Sequence, residues 1–149
     1  MMQVSQKTQY ALRAMFELAR RHGSGPTRIG EIAEVQAIPP RFLEGILNQL
    51  RQAGLLRSVR GARGGYELAL EPSEISVGDM MRIIEGPISP TECLEGSDAD
   101  CPLYGSCAFL PMWRRAAEAL AAVYDGTTFA DLLEEDQRMR QGAPLNYVI

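Results

Sequence analysis

Three cysteines are the residues best placed to do chemistry. Cys93, Cys101 and Cys107 lie in the run ECLEGSDADCPLYGSC, with seven residues between the first two and five between the last two. An odd cysteine count in a chain without secretory features is a poor disulfide framework and reads better as a ligand cluster. Soft thiolates select zinc, copper(I) or iron–sulfur clusters. A structural zinc site wants a fourth Cys or His, usually in short paired spacings. Neither is present, and the single histidine, His22, sits at the end of the first expected helix, where it reads as a solvated surface residue. Three thiolates on a loop punctuated by glycine and proline suit an iron–sulfur cluster. The four-iron form is favoured and a two-iron form is the alternative. A cubane on three cysteines leaves one iron on a carboxylate, a water or a small thiol, and such a weakly tied iron suits a sensor better than an electron carrier. Three ordinary buried cysteines, or a metal-free Cys101–Cys107 redox pair, are the competing readings.

A second group of residues is basic. Net charge is −4 overall, but residues 1–70 carry ten Lys/Arg against five Asp/Glu, whereas residues 71–149 carry five against fourteen. A basic first half beside an acidic second half fits a DNA-reading unit joined to a sensing or dimerising one.

The expected elements place these groups. Ser5 caps a helix to about residue 21, with Ala11, Ala14, Met15, Leu18 and Ala19 on one face. Thr27 caps a short helix over 28–35, and 36–38 is a tight turn. Pro39-Pro40 opens a third helix to about residue 53, its apolar positions being Phe42, Leu43, Ile46, Leu47 and Leu50. Runs 55–60 and 66–70 flank Gly61-Ala-Arg-Gly-Gly65 as a hairpin. Ser76 begins a fourth helix over 77–85. An irregular cysteine stretch follows, then a long helix over 109–124, and a last helix that Thr128 caps. No job is assigned to the tail 142–149. The fold class is mainly α with a small β-hairpin: a winged helix-turn-helix domain (1–75), a helix and cysteine cluster-binding loop (76–108), and a dimerisation helix with the C-terminal tail (109–149).

In a winged helix-turn-helix the helix after the turn enters the major groove. That puts Arg41, Glu44, Gly45 and Asn48 at the DNA face. Arginine pairs with guanine, glutamate accepts from cytosine, and asparagine pairs with adenine. The wing adds Arg57, Arg60, Gly61 and Arg63, its glycines allowing close approach to phosphate or a narrow minor groove. No nucleophile–base constellation or phosphate loop argues for an enzyme. No apolar run approaches the roughly 18–20 residues that span a bilayer, and residues 1–8 lack the apolar core of a signal peptide. The expected location is the cytoplasm.

The segments VSQKTQYALRAM (4–15), FLEGILNQLRQAGLL (42–56) and SVRGARGGY (58–66) resemble the first helix, recognition helix and wing of the IscR/NsrR/RirA regulators, the Rrf2 family. Trp113-Arg114 and the run TFADL (128–132) follow in that family's order. The resemblance implies a homodimer paired through the long helix, each protomer reading half of a palindromic double-stranded DNA operator. Glu44 becomes the base-reading carboxylate, Arg41 and Gly45 flank it, and Arg60 with Gly61 enters the groove. Cys93, Cys101 and Cys107 match the cluster ligands, with a spacing most like the iron-responsive RirA type. The histidine of the IscR-type pattern is Leu110 here, and the aspartate that the NsrR-type pattern supplies from helix 1 of the other subunit is Gln9. Gln9, Glu92, Asp98 and Asp100 stand as substitutes for the fourth ligand. The implied function is a transcriptional regulator, read as a repressor, sensing iron, iron–sulfur or redox and nitric oxide status through a bound cluster. A metal-free thiol regulator and an iron–sulfur scaffold or interaction protein are the alternatives.

Overall fold

Local capping chemistry starts the chain as expected. The Ser5 hydroxyl accepts the Thr8 N–H at 3.2 Å, and α1 (Gln6–Arg20) follows. The structure is a computed structural model describing residues 3–96 and 101–142. Ala11, Ala14, Met15, Leu18 and Ala19 of α1 are buried, the stripe that helical spacing demands. Next come α2 (Ile29–Gln36) and α3 (Pro40–Gln52), joined by a turn in which Ala37 is left-handed. Leu43, Ile46, Leu47 and Leu50 of α3 face the core.

Thr27 does not cap α2. Its N–H and carbonyl exchange hydrogen bonds with Tyr66, both at 2.8 Å, so it adds a third rung to the hairpin and the helix starts after Arg28. The pairing brings backbones so close that a Cβ on Gly65 would lie 2.3 Å from the Thr27 carbonyl oxygen. The hairpin strands are β1 (Leu56–Val59) and β2 (Gly65–Leu68), antiparallel with Leu56 opposite Leu68 and Val59 opposite Gly65. They are shorter than expected because the tip folds on itself, Gly64 N–H donating to the Gly61 carbonyl at 3.0 Å.

After a 3-10 turn at Pro72–Glu74, Ser76 and Asp79 form a capping box for α4 (Val77–Ile84). A second 3-10 turn at Glu92–Glu95 carries Cys93. The long helix α5 (Leu110–Asp125) and the capped helix α6 (Phe129–Arg140) complete the described chain. The α5–α6 turn is pinned to α4: Val77 N–H donates to Thr127 and Phe129 N–H to Ile75, at 2.8 and 3.0 Å. Phe129 is fully buried in the core that α1, α3 and the hairpin build, so α6 closes on the N-terminal half. The helix α5 contrasts with it, since none of its residues is buried.

Glu17 is the one buried charged residue of the described core, a feature the sequence does not announce. Its carboxylate accepts from Arg20 at 2.6 Å, Arg21 at 2.8 Å and Gln36 at 3.1 Å. Burial pushes its pKa up, but those bonds outweigh burial and hold it below the ordinary carboxylate range. The Gln36 hydrogen bond ties α1 to the end of α2. Among the described residues no helix is long and apolar enough to cross a membrane.

Candidate nucleic-acid interface and cysteine cavity

The N-terminal end of α3 and the wing carry the residues expected to read DNA. Arg41, Glu44 and Gly45 are exposed, on the side opposite the buried Leu43, Ile46, Leu47 and Leu50. Asn48 is half-buried, and its carboxamide oxygen accepts from Arg51 at 2.7 Å. That bond leaves the amide N–H groups as the polar edge Asn48 offers outward. Arg51 was not among the residues singled out from sequence, because a single arginine in a last helical turn carries no spacing signal.

Phe42 corrects the sequence reading. Helical spacing groups it with the apolar positions of α3, yet it is 45% exposed. At 100° per residue it falls at the edge of the stripe, and its ring leans on Tyr10 of α1, centroids 6.0 Å apart. The Arg41 guanidinium lies over the same ring at 4.7 Å.

In the wing, Arg60, Gly61 and Arg63 are exposed at the tip. Gly61 has φ 110°, a conformation that favours glycine. Arg57 is less available: register places it opposite Glu67, and the two make an ion pair at 3.4 Å. Arg28 reaches across from the start of α2 to donate to the Ala62 carbonyl, bracing the tip. Only the tertiary fold reveals that brace, since Arg28 and Ala62 are distant in sequence.

The three cysteines, free of disulfides, are brought to one cavity of about 450 Å³. Its described wall also includes Leu94, Tyr104, Leu110 and Arg114. Cys93 sits on the 3-10 turn with its Sγ 3.2 Å from the Thr91 hydroxyl. The Cys101 carbonyl accepts from Tyr104, and the Cys107 carbonyl accepts from Leu110 at the start of α5. All three cysteines are half-buried. Among the described residues, no three His, Cys, Asp or Glu side chains are gathered as a single metal-ion site. The cavity wall is thiol-rich, and Arg114 is the one charged residue on its described part. This donor set fits a large, thiophilic, anionic group better than a hard cation.

Among the described residues of this chain, Gln9, Glu92 and His22 do not line the cavity. Leu110, where the IscR-type pattern has histidine, lines the cavity with a side chain that cannot ligate. The Gln9 amide donates to the Val4 carbonyl at 3.1 Å. Glu92 is exposed, and His22 pairs with Glu71 at 3.2 Å. Asp98 and Asp100 lie outside the described residues.

A family model described as "Rrf2: Iron-dependent Transcriptional regulator" matches residues 4–135. The chain belongs to the Rrf2 family. A curated Rrf2-type relative, the HTH-type transcriptional regulator CymR of Bacillus subtilis, is 43% identical over 131 residues, covering 88% of this chain and 89% of that one. The solved structure of "CymR (YrzC) the Global Cysteine Regulator of B. subtilis" superposes with a TM-score of 0.77, at 42% identity, over 91% of this chain and 98% of that one. The structure of T. potens IscR gives 0.72 at 36% identity, over 91% and 88%. Like its Rrf2 relatives, the chain is a DNA-binding transcriptional regulator of winged-helix fold and not an enzyme.

Proposed function

We propose that this Rrf2-family chain works as a homodimer that grips a palindromic operator and senses iron, iron–sulfur or redox and nitric oxide status through an iron–sulfur cluster held by Cys93, Cys101 and Cys107. The observation that carries the reading is the convergence of these three free thiols, spread over fifteen residues, on one cavity at the start of α5. When bound, such a cluster supplies a labile, redox-responsive centre. The chain's own residues do the rest. The three thiolates tie the 3-10 turn, the turn series before α5 and α5 itself into one unit. The Arg114 guanidinium offsets the negative charge that the thiolates gather. The exposed α5, with Met112 and Val123 bare and Phe109 bare just before it, pairs with a second copy. Each protomer then lays α3 in a major groove, where Arg41, Glu44, Gly45 and Asn48 meet base edges and Arg57, Arg60, Gly61 and Arg63 of the wing meet backbone and minor groove.

Protein purified without oxygen tests the cluster. A visible charge-transfer band with near-stoichiometric iron and sulfide, lost in Cys101→Ala, is the expected result. A colourless protein that takes up no iron on reconstitution overturns it.

A metal-free thiol regulator is the second reading. It is favoured by the likeness to CymR, the global cysteine regulator of B. subtilis, and by the same three thiols being unpaired. There Cys101 and Cys107 would each lose a proton and together pass two electrons to an oxidant as their disulfide forms. Iron-free protein whose DNA affinity changes on oxidation, in wild type but not in Cys107→Ala, would favour it.

A further inference from the structure

We infer that Phe42 is a specificity-determining residue, its ring forming a receiving surface for the 5-methyl group of a thymine in the major groove. This rests on α3 being the DNA-reading helix. Phe42 is the third residue of α3, between Arg41 and Glu44, and it remains 45% exposed. A bare aromatic ring at a helix start is costly in water unless something covers it. The ring is also held rather than free. Tyr10 packs beside it with 30° between planes, and Arg41 lies across it. These three side chains, with Gln6, Lys7, Gly45 and Ile46, line an open apolar groove of about 550 Å³ between α1 and α3.

The occupant follows from what surrounds the ring. Lys7 and Arg41 flank it with positive charge, as a polyanion requires. The groove reaches the exposed surface of α3 at Arg41 and Gly45. The space beside Gly45 is open, since a Cβ there would meet nothing within 4 Å. Among the bases, thymine carries the apolar group in the major groove, and phenylalanine is a side chain that contacts it. Phe42 fixed by Tyr10 therefore presents a rigid apolar patch beside the polar readers, at little further entropic cost on binding.

The test uses the full-length protein in its DNA-binding form and a duplex it selects from a random library. Each thymine of the selected half-site is replaced singly by deoxyuridine, which removes only the methyl group, and affinity is read by fluorescence anisotropy at one salt concentration. At least one position should lose roughly fourfold, the worth of one buried methyl. In Phe42→Ala that penalty should vanish, whereas Phe42→Leu should keep part of it and Glu44→Ala all of it, a double-mutant cycle between side chain and methyl. A half-site without thymine, no uracil-sensitive position, or a penalty that persists in Phe42→Ala each overturns the inference while leaving DNA reading by α3 standing. Failure to select any duplex overturns both.

Discussion

At the scale of single residues, charge and shape separate positioning from reading. Glu44 stands exposed on α3 with no ion-pair partner among the described residues, and under the proposed function it accepts from a base edge. Glu44→Ala should relax sequence choice, shrinking the affinity ratio between cognate and scrambled duplexes in gel shifts. Equal loss on both would sink the readout assignment. Arg63 sits at the wing tip, where a phosphate is the natural partner. Arg63→Ala should weaken binding to every sequence and lower the slope of log affinity against log salt by about one. Glu17 acts on stability instead. Its folded pKa is depressed, so the stability it contributes is complete above the ordinary glutamate pKa and is lost as pH falls through the lower, folded value. Glu17→Gln should therefore cost about 1–3 kcal/mol at neutral pH and flatten the acid limb of denaturant melts. An unchanged acid limb would show that another group controls it.

At the scale of elements, α6 matters more than its position near the end of the chain suggests. Thr128 and Asp131 box its start, which aims Phe129 into the core formed by α1 and the hairpin. Phe129→Ala should destabilise by about 3–5 kcal/mol, the usual cost of emptying a buried aromatic site. Thermal unfolding followed by circular dichroism measures it, and a loss under 1 kcal/mol would mean that α6 rides on the surface. The Arg82–Asp125 pair, at 2.6 and 2.9 Å, sets the angle between α4 and the far end of α5. Gly78 makes room for it, because a Cβ there would strike the Asp125 carboxylate at 1.8 Å. Thus α5 is anchored at its C-terminal end and carries the cysteine cavity at its N-terminal end.

At the scale of the whole molecule, the proposed function makes α5 the part through which the cavity and the reading face would communicate. A change at the thiols bears on one end of a helix whose other end is clamped to α4, and α4 meets α1 where Glu85 accepts from Ser5 N–H at 2.8 Å and from the Thr8 hydroxyl at 2.7 Å. The bare side of α5 carries Met112 and Val123, which are 47% and 64% exposed. Sedimentation should report a dimer. Met112→Glu should raise its dissociation constant by roughly tenfold or more, since an unpaired carboxylate would be buried. A wild-type monomer at micromolar concentration would remove α5 as the pairing surface.

Periodicity and capping made most elements legible without coordinates. Ser5, Ser76 and Thr128 mark helix starts through bonds that span three residues, and the stripes of α1 and α3 follow from helical geometry alone. The cysteine spacing likewise announced a shared site, because seven and five intervening residues leave the loop short. Other features depend on groups far apart in the chain. Thr27 pairs with Tyr66 rather than capping α2, and Arg28 braces the wing. Glu17 stays charged in the core, and Phe42 stays outside it. Local pattern ranks a residue by its own polarity, whereas these four outcomes turn on which distant backbone or side chain arrives beside it. Convergence of the thiols on one cavity with Arg114 is of the same kind: the chain supplied the donors, and the packing of α5 against the loop gathered them.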